Sequence, residues 1–225
     1  MDSSVEVRWF LQIPQPERPI IFPRGVKTSI RTDWYACSHS GCGMKIRDGK
    51  LEMKLLHQNL GFQNIGTRSG KFEEWKKWTF DVNSKVAPSK ENLLSTGWVA
   101  ITKKRSLLVY SVNENAFERV SSWTPNGCQL EWTELTIDTQ KWLTIGLDAF
   151  GSEIEPKSTL KKAAQILIPK LPDYLQLDGT TSCSYPEWIF GLKTLGSLGS
   201  TSNSYFTSKD NYFDAATNDY NEIDF

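Results

Sequence analysis

Charged and apolar residues alternate in the segment GMKIRDGKLEMKLL, which runs from Gly43 to Leu56. Alternation around a central Asp-Gly predicts a β-hairpin with a two-residue turn, in which Arg47 pairs with Lys50 and Lys45 with Glu52. One face then carries Lys45, Arg47, Lys50, Glu52 and Lys54, and the other carries Met44, Ile46, Leu51, Met53 and Leu55. The cationic face is suited to binding phosphate, although alternation alone favours a solvent-exposed surface.

Basic residues recur inside other segments that alternate like strands. Arg8 follows Glu6 in SVEVRWFLQI, Lys103 and Arg105 share one face of WVAITKKRSLLVYSV, and Glu131 lies in QLEWTELTI. Inside a closed barrel these cations would repel one another unless acids, water, a bound polyanion or a metal ion compensated. Two alternatives stay open. The acids can simply pair with bases across the sheet, and the three-base run around Lys103 can form a hairpin tip.

The apolar pattern predicts a mostly antiparallel β fold followed by two helices. Residues 71–82 fit a strand better than a helix, and residues 141–151 fit either a strand end or the entry to a helix. The other predicted strands, which are rich in β-branched and aromatic residues, are 4–13, 27–37, 43–56, 95–112 and 128–137.

Helical periodicity is clear in two late segments. In STLKKAAQILI, apolar residues recur at helical spacing from Leu160 to Ile168, and Ser158 is the predicted N-cap. In SYPEWIFGL, Ser184 and Glu187 form a capping-box pattern with Pro186 in the first turn. We expect these helices to cover the outward apolar faces of the sheet.

Composition sets limits on location and partners. The chain has 225 residues, with 26 bases balanced by 26 acids. It lacks an apolar run near the roughly 20 residues of a membrane span and lacks a signal-peptide pattern, so we expect a cytoplasmic protein without a membrane partner. The charge balance gives no specific signal for nucleic acid. The sequence does not fix the oligomeric state.

The four cysteines are expected to be free thiols. One cluster, CSHSGC, contains Cys37, His39 and Cys42. A zinc site would need a fourth ligand and usually a paired C-x-x-C spacing, which this segment lacks. A Ser- and Gly-rich turn is therefore the preferred interpretation.

The chain divides into a body and a tail. Residues 1–195 form the predicted domain, whereas residues 196–225 are rich in Ser and Asn and contain five acids and one base. Low hydrophobicity without periodicity predicts a flexible acidic tail.

The segments VEVRW, MKIRDGKLEMK, WVAITKKR and QLEWTELTI, taken in order, resemble the CYTH superfamily, the triphosphate tunnel metalloenzymes. The resemblance covers roughly residues 4–190 and marks this chain as a divergent member. It implies a mainly β (α+β) fold, an antiparallel β-barrel or tunnel of about eight strands with C-terminal helices packed outside. It also implies a triphosphate-containing ligand and Mg²⁺ or Mn²⁺ as cofactor.

The resemblance assigns the site residue by residue. The implied phosphate-binding bases are Arg8, Lys45, Arg47, Lys54, Lys103 and Arg105. The implied metal ligands are Glu6, Glu131 and Glu52. No separate catalytic residue is assigned.

The chain departs from the family pattern at three positions. The family's first-strand motif Glu-x-Glu-x-Lys reads Ser4, Glu6 and Arg8 here, and Thr133 stands where a second late carboxylate is often found. The loss of two carboxylates weakens the prediction of metal binding, whereas the bases implied to bind phosphate are all present. Two hypotheses follow: a metal-dependent hydrolase of inorganic or organic triphosphate, and a non-catalytic polyphosphate- or nucleotide-binding barrel that has lost full metal ligation.

Overall fold

The computed structural model describes residues 2–13, 16–82, 93, 97–112, 116–122, 124–151 and 155–196. Its strands are β1 (Asp2–Leu11), β2 (Thr28–His39), β3 (Cys42–Arg47), β4 (Lys50–Ile65), β5 (Arg68–Asp81), β6 (Val99–Val112), β7 (Phe117–Val120), β8 (Gly127–Ile137) and β9 (Gln140–Phe150). Two helices follow, α1 (Pro156–Leu167) and α2 (Tyr185–Gly196), with a 3₁₀ turn at Ile168–Lys170. The predicted tail, residues 196–225, lies outside the described residues except for Gly196.

Eight antiparallel strands close into a barrel, in the order β2-β3-β4-β5-β1-β9-β8-β6, with β6 pairing back to β2. The short strand β7 pairs with the far end of β6, outside the ring. The prediction of a mainly β antiparallel barrel with C-terminal helices is therefore confirmed. Residues 71–82, which fit a strand better than a helix, lie in β5 except for residue 82, and residues 141–151 lie in β9 except for residue 151.

The hairpin β3–β4 has the predicted register. Arg47 pairs with Lys50 and Lys45 with Glu52. Its turn residues Asp48 and Gly49 both have positive φ, 48° and 72°, as a two-residue type I′ turn requires. Of the cationic face, Lys45, Arg47, Glu52 and Lys54 point into the barrel, whereas Lys50 beside the turn is exposed. The solvent-exposed alternative is therefore wrong for all of this face except Lys50.

Two hydrophobic cores lie on opposite sides of the barrel wall. The larger one joins the outer faces of β1, β8 and β9 to α1, and it includes the buried Trp9 and Trp132. The smaller one lies inside one end of the barrel and includes Trp188 of α2. Among the described residues, α1 packs over β1, β8 and β9, and α2 contacts β3 from inside the barrel, where Pro186 lies next to Gly43. The expectation that the helices cover the outward face of the β3–β4 hairpin is therefore wrong.

Only one of the two predicted helix N-caps is present in the structure. Ser184 accepts a hydrogen bond from the backbone N–H of Glu187 at 3.3 Å, which confirms it as the cap of α2. Ser158 is not the N-cap of α1, because the helix begins at Pro156 and the Ser158 hydroxyl donates to the Glu155 carbonyl at 2.9 Å. Neither helix of the described chain is long and apolar enough to cross a bilayer.

Candidate functional site

The inward faces of the barrel strands surround one cavity of about 750 Å³. Because side chains alternate along a strand, a set of residues spaced by two points inward from each strand. All nine residues assigned from the sequence line this cavity: Glu6, Arg8, Lys45, Arg47, Glu52, Lys54, Lys103, Arg105 and Glu131. Lys103 and Arg105 lie in the middle of β6, so the hairpin-tip alternative is wrong.

The cavity is strongly cationic. Among the described residues that line it, eight are basic and four are acidic. The bases are Arg8, Arg31, Lys45, Arg47, Lys54, Lys77, Lys103 and Arg105, and the acids are Glu6, Glu52, Glu131 and Asp148. An excess of positive charge on low-dielectric walls concentrates anions inside the cavity.

Glu6 and Glu52 hold bases in place by ion pairs. The Lys54 ammonium lies 2.7 Å from Glu6. Glu52 pairs with Lys45 at 2.8 Å and also contacts Arg47. These contacts confirm the alternative left open by the sequence, in which the acids pair with bases across the sheet, and these pairs lie inside the barrel.

Glu131 is buried and lies between two arginines. It accepts hydrogen bonds from Arg8 at 3.1 Å, from Arg105 at 3.0 Å and from the Thr133 hydroxyl at 2.9 Å. Burial would raise the pKa of Glu131, but the two guanidinium groups hold it well below its usual range. Burial likewise opposes the charge of Arg8, yet Glu131 keeps the pKa of Arg8 above its ordinary value. The cluster is ionised throughout the physiological range.

Lys103 lies deeper and is enclosed by aromatic rings. Its Nζ donates a hydrogen bond to the Tyr35 hydroxyl at 2.5 Å, lies 3.4 Å from Asp33 and sits 3.9 Å from the ring centre of Tyr185. Burial lowers the pKa of Lys103 to about 7, although Asp33 opposes this shift. A bound anion would favour the protonated form.

Several lining residues were missed by the sequence analysis. Arg31 is in a segment that was predicted as a strand, and alternation places Arg31, Asp33 and Tyr35 on its inward face. Lys77 belongs to residues 71–82, which were predicted as a strand without an assigned inward face. For Tyr185, which reaches in from α2, the sequence carries no signal.

Asp148 supplies a carboxylate that the family pattern did not locate. Asp148 lies opposite Glu6 in the register of β1 and β9, and the Ser4 hydroxyl donates a hydrogen bond to its carboxylate. Burial raises the pKa of Asp148, with Lys54 opposing and Glu6 reinforcing the shift. Its Oδ1 atom is buried without a hydrogen-bond partner in the described chain. Thr144, Gly146 and Asp148 alternate on β9, so a strand assignment would have revealed this acid.

The predicted metal ligands do not gather into one cluster. Glu6, Glu52 and Glu131 each contact cations, and the described residues contain no group of three His, Cys, Asp or Glu side chains suited to a metal ion. In the CSHSGC segment, His39 and Cys42 pair across β2 and β3, whereas the side chain of Cys37 lies outside the described part of the chain. The prediction of Mg²⁺ or Mn²⁺ in the barrel stays a prediction.

A comparison of the sequence with protein-family models gives no match, and a search of curated proteins gives none either. The resemblance to the triphosphate tunnel enzymes therefore rests on the quoted segments alone.

Proposed function

We propose that the barrel binds a small compound that carries a chain of phosphates, such as a triphosphate. The observation that supports this most is the cavity lining, in which eight bases face four acids among the described residues. Polyanions are the ligands that such a lining attracts, and planar guanidinium groups match phosphate oxygens with paired hydrogen bonds. This is the non-catalytic alternative left open by the sequence.

The ion pairs explain how the barrel interior tolerates its charges. Glu131 separates Arg8 from Arg105, and Glu52 separates Lys45 from Arg47. Each carboxylate lowers the mutual repulsion of two bases and fixes their positions. A multivalent phosphate then meets cations that are already ordered, which lowers the entropic cost of binding.

The test is thermal unfolding of the full chain with increasing inorganic triphosphate, with sodium sulfate at equal ionic strength as control. A ligand that binds only the folded state stabilises it by about 2.7 kcal/mol at a hundred times its Kd. We expect a concentration-dependent rise in Tm with triphosphate that sulfate does not reproduce. If neither anion raises Tm, and calorimetry detects no binding, the proposal is wrong.

Metal-dependent hydrolysis of a triphosphate is the second candidate. The observation that favours it is the pair Glu6 and Asp148, which face each other with one Asp148 oxygen lacking a partner among the described residues. Mg²⁺ is often held by one or two carboxylates plus substrate phosphates. Such an ion would neutralise phosphate charge during transfer.

Phosphate release separates the two candidates. Turnover of inorganic triphosphate that requires Mg²⁺ or Mn²⁺ and is abolished in Asp148→Asn would support the hydrolase. Tight binding without release under any of these conditions would support the binding protein. Glu134→Gln is the matched control, because Glu134 pairs with Lys104 on the outer face of the barrel.

A further inference from the structure

The cavity has one blind end. Toward that end, the inward-facing residues of the strands change from charged to apolar, as in Phe10 of β1, Ile101 of β6 and Leu135 of β8. Trp188 and Ile189 of α2 fill the space between them, and the Trp188 ring stacks on Phe10 with centroids 4.5 Å apart. The described residues thus turn a tunnel into a pocket that a ligand enters from the opposite end.

The start of α2 is fixed in this blind end by backbone bonds. The segment before the helix pairs with β1, because Phe10 N–H donates to the Thr181 carbonyl at 2.8 Å and Cys183 N–H donates to the Arg8 carbonyl at 3.1 Å. Glu187, in the first turn, pairs with Lys71 at 2.9 Å. These contacts hold Tyr185 at the floor of the charged cavity.

The hydroxyl of Tyr185 has an unusual environment. Its oxygen is buried and has no hydrogen-bond partner in the described part of the chain. The Arg8 guanidinium lies 4.8 Å and the Lys103 ammonium 3.9 Å from the ring centre. An unsatisfied buried hydroxyl costs stability, so its retention among cations points to a ligand that completes it.

We propose that Tyr185 recognises the free end of the bound phosphate chain. Its hydroxyl donates a hydrogen bond to the terminal phosphate, and Arg8, Lys103 and Arg105 neutralise the charge of that phosphate. This inference rests on the proposed function. It adds a restriction: the ligand enters with an unesterified terminal phosphate first, and a chain that is esterified at both ends does not reach the floor.

The ligand series that tests the restriction uses calorimetry on the unmodified chain. The probes are inorganic triphosphate, its monomethyl ester, and tetraphosphate methylated at both ends, which has a net charge similar to that of the monomethyl triphosphate. We expect the first two to bind with similar affinity and the last to bind about a hundredfold more weakly, as expected when hydrogen bonds to a charged group are lost. Equal affinity for all three would overturn the inference but leave the proposed function intact. Failure of all three to bind would contradict both.

A variant provides an independent readout. Tyr185→Phe removes only the hydroxyl, and we expect inorganic triphosphate to bind about tenfold more weakly while Tm without ligand is unchanged or higher. In Tyr174→Phe, the matched control, the lost hydroxyl lies outside the barrel, where it donates to the Glu17 carbonyl at 3.2 Å. Wild-type affinity in Tyr185→Phe would overturn the role of the hydroxyl.

Discussion

Arg8 on β1 and Glu131 on β8 form an ion pair of 3.1 Å across the strand that lies between them. The residue of β9 that pairs with both is Gly146. A Cβ atom at position 146 would lie 2.7 Å from the Arg8 guanidinium carbon. The absence of a side chain there thus opens the path by which Arg8 reaches Glu131.

The first prediction follows from this path. In Gly146→Ala, the added methyl group displaces the Arg8 guanidinium, and we expect about tenfold weaker binding of inorganic triphosphate, equivalent to about 1.4 kcal/mol. The control is Gly191→Ala in α2, where a Cβ would meet nothing within 4 Å. Calorimetric titration measures both. Wild-type affinity in Gly146→Ala would show that the position of Arg8 does not matter for binding.

Glu131 gives a prediction in which stability and affinity change in opposite directions. Glu131→Gln leaves the buried Arg8 and the half-buried Arg105 without their carboxylate, and breaking such a pair costs about 3 kcal/mol of unfolding free energy. The cavity also gains one net positive charge, so inorganic triphosphate should bind more tightly and raise Tm by more than in the wild type. Chemical unfolding with and without ligand measures both effects. Loss of binding in Glu131→Gln would contradict this role and indicate that the carboxylate itself contacts the ligand or a metal.

Lys103 makes binding dependent on pH. Because burial lowers its pKa to about 7, the amine is mostly neutral at pH 8 to 9 in the free protein. The groups around it are Asp33, Lys45, Glu131 and Arg8, together with two tyrosine rings. A phosphate nearby favours the ammonium, so binding should take up a proton at this pH, and affinity should fall as pH rises above 7.

Calorimetry in two buffers of different ionisation enthalpy measures that proton. Titrating Lys103→Met in the same buffers removes the contribution of the ligand's own ionisation. We expect the wild type to take up more protons than the variant at pH 8.5. Equal proton uptake by the two proteins would mean that the ligand does not approach Lys103.

Alternation and turn chemistry were enough to predict the hairpin in register. The Asp48-Gly49 pair specifies the turn, and the strict period of two then decides which side chains share a face. Whether that face points inward could not be decided from one hairpin, because closure depends on the pairing of β2 with β6, which are distant in sequence. The resemblance to a barrel family supplied the inward direction, and in the structure Lys45, Arg47, Glu52 and Lys54 point inward.

The blind end could not be predicted for a different reason. The sequence does show that SYPEWIFGL is a capped helix, and Ser184 is its cap. Its docking site depends on tertiary contacts, namely the pairing of residues 181–183 with β1 and the stacking of Trp188 on Phe10. Asp148 was missed more simply, because the segment 141–151 was not assigned firmly as a strand.

Two neighbouring residues of β6 provide the most direct test of the central claim that the barrel interior binds phosphates. Arg105 points into the cavity, where it lies 2.9 Å from Glu131, whereas Lys104 points outward and pairs with Glu134 at the same distance. The measurement is the Kd of inorganic triphosphate for Arg105→Met and Lys104→Met. We predict that the first binds about ten- to a hundredfold more weakly than the wild type. The second should bind like the wild type. Equal affinities in the two variants would contradict the account.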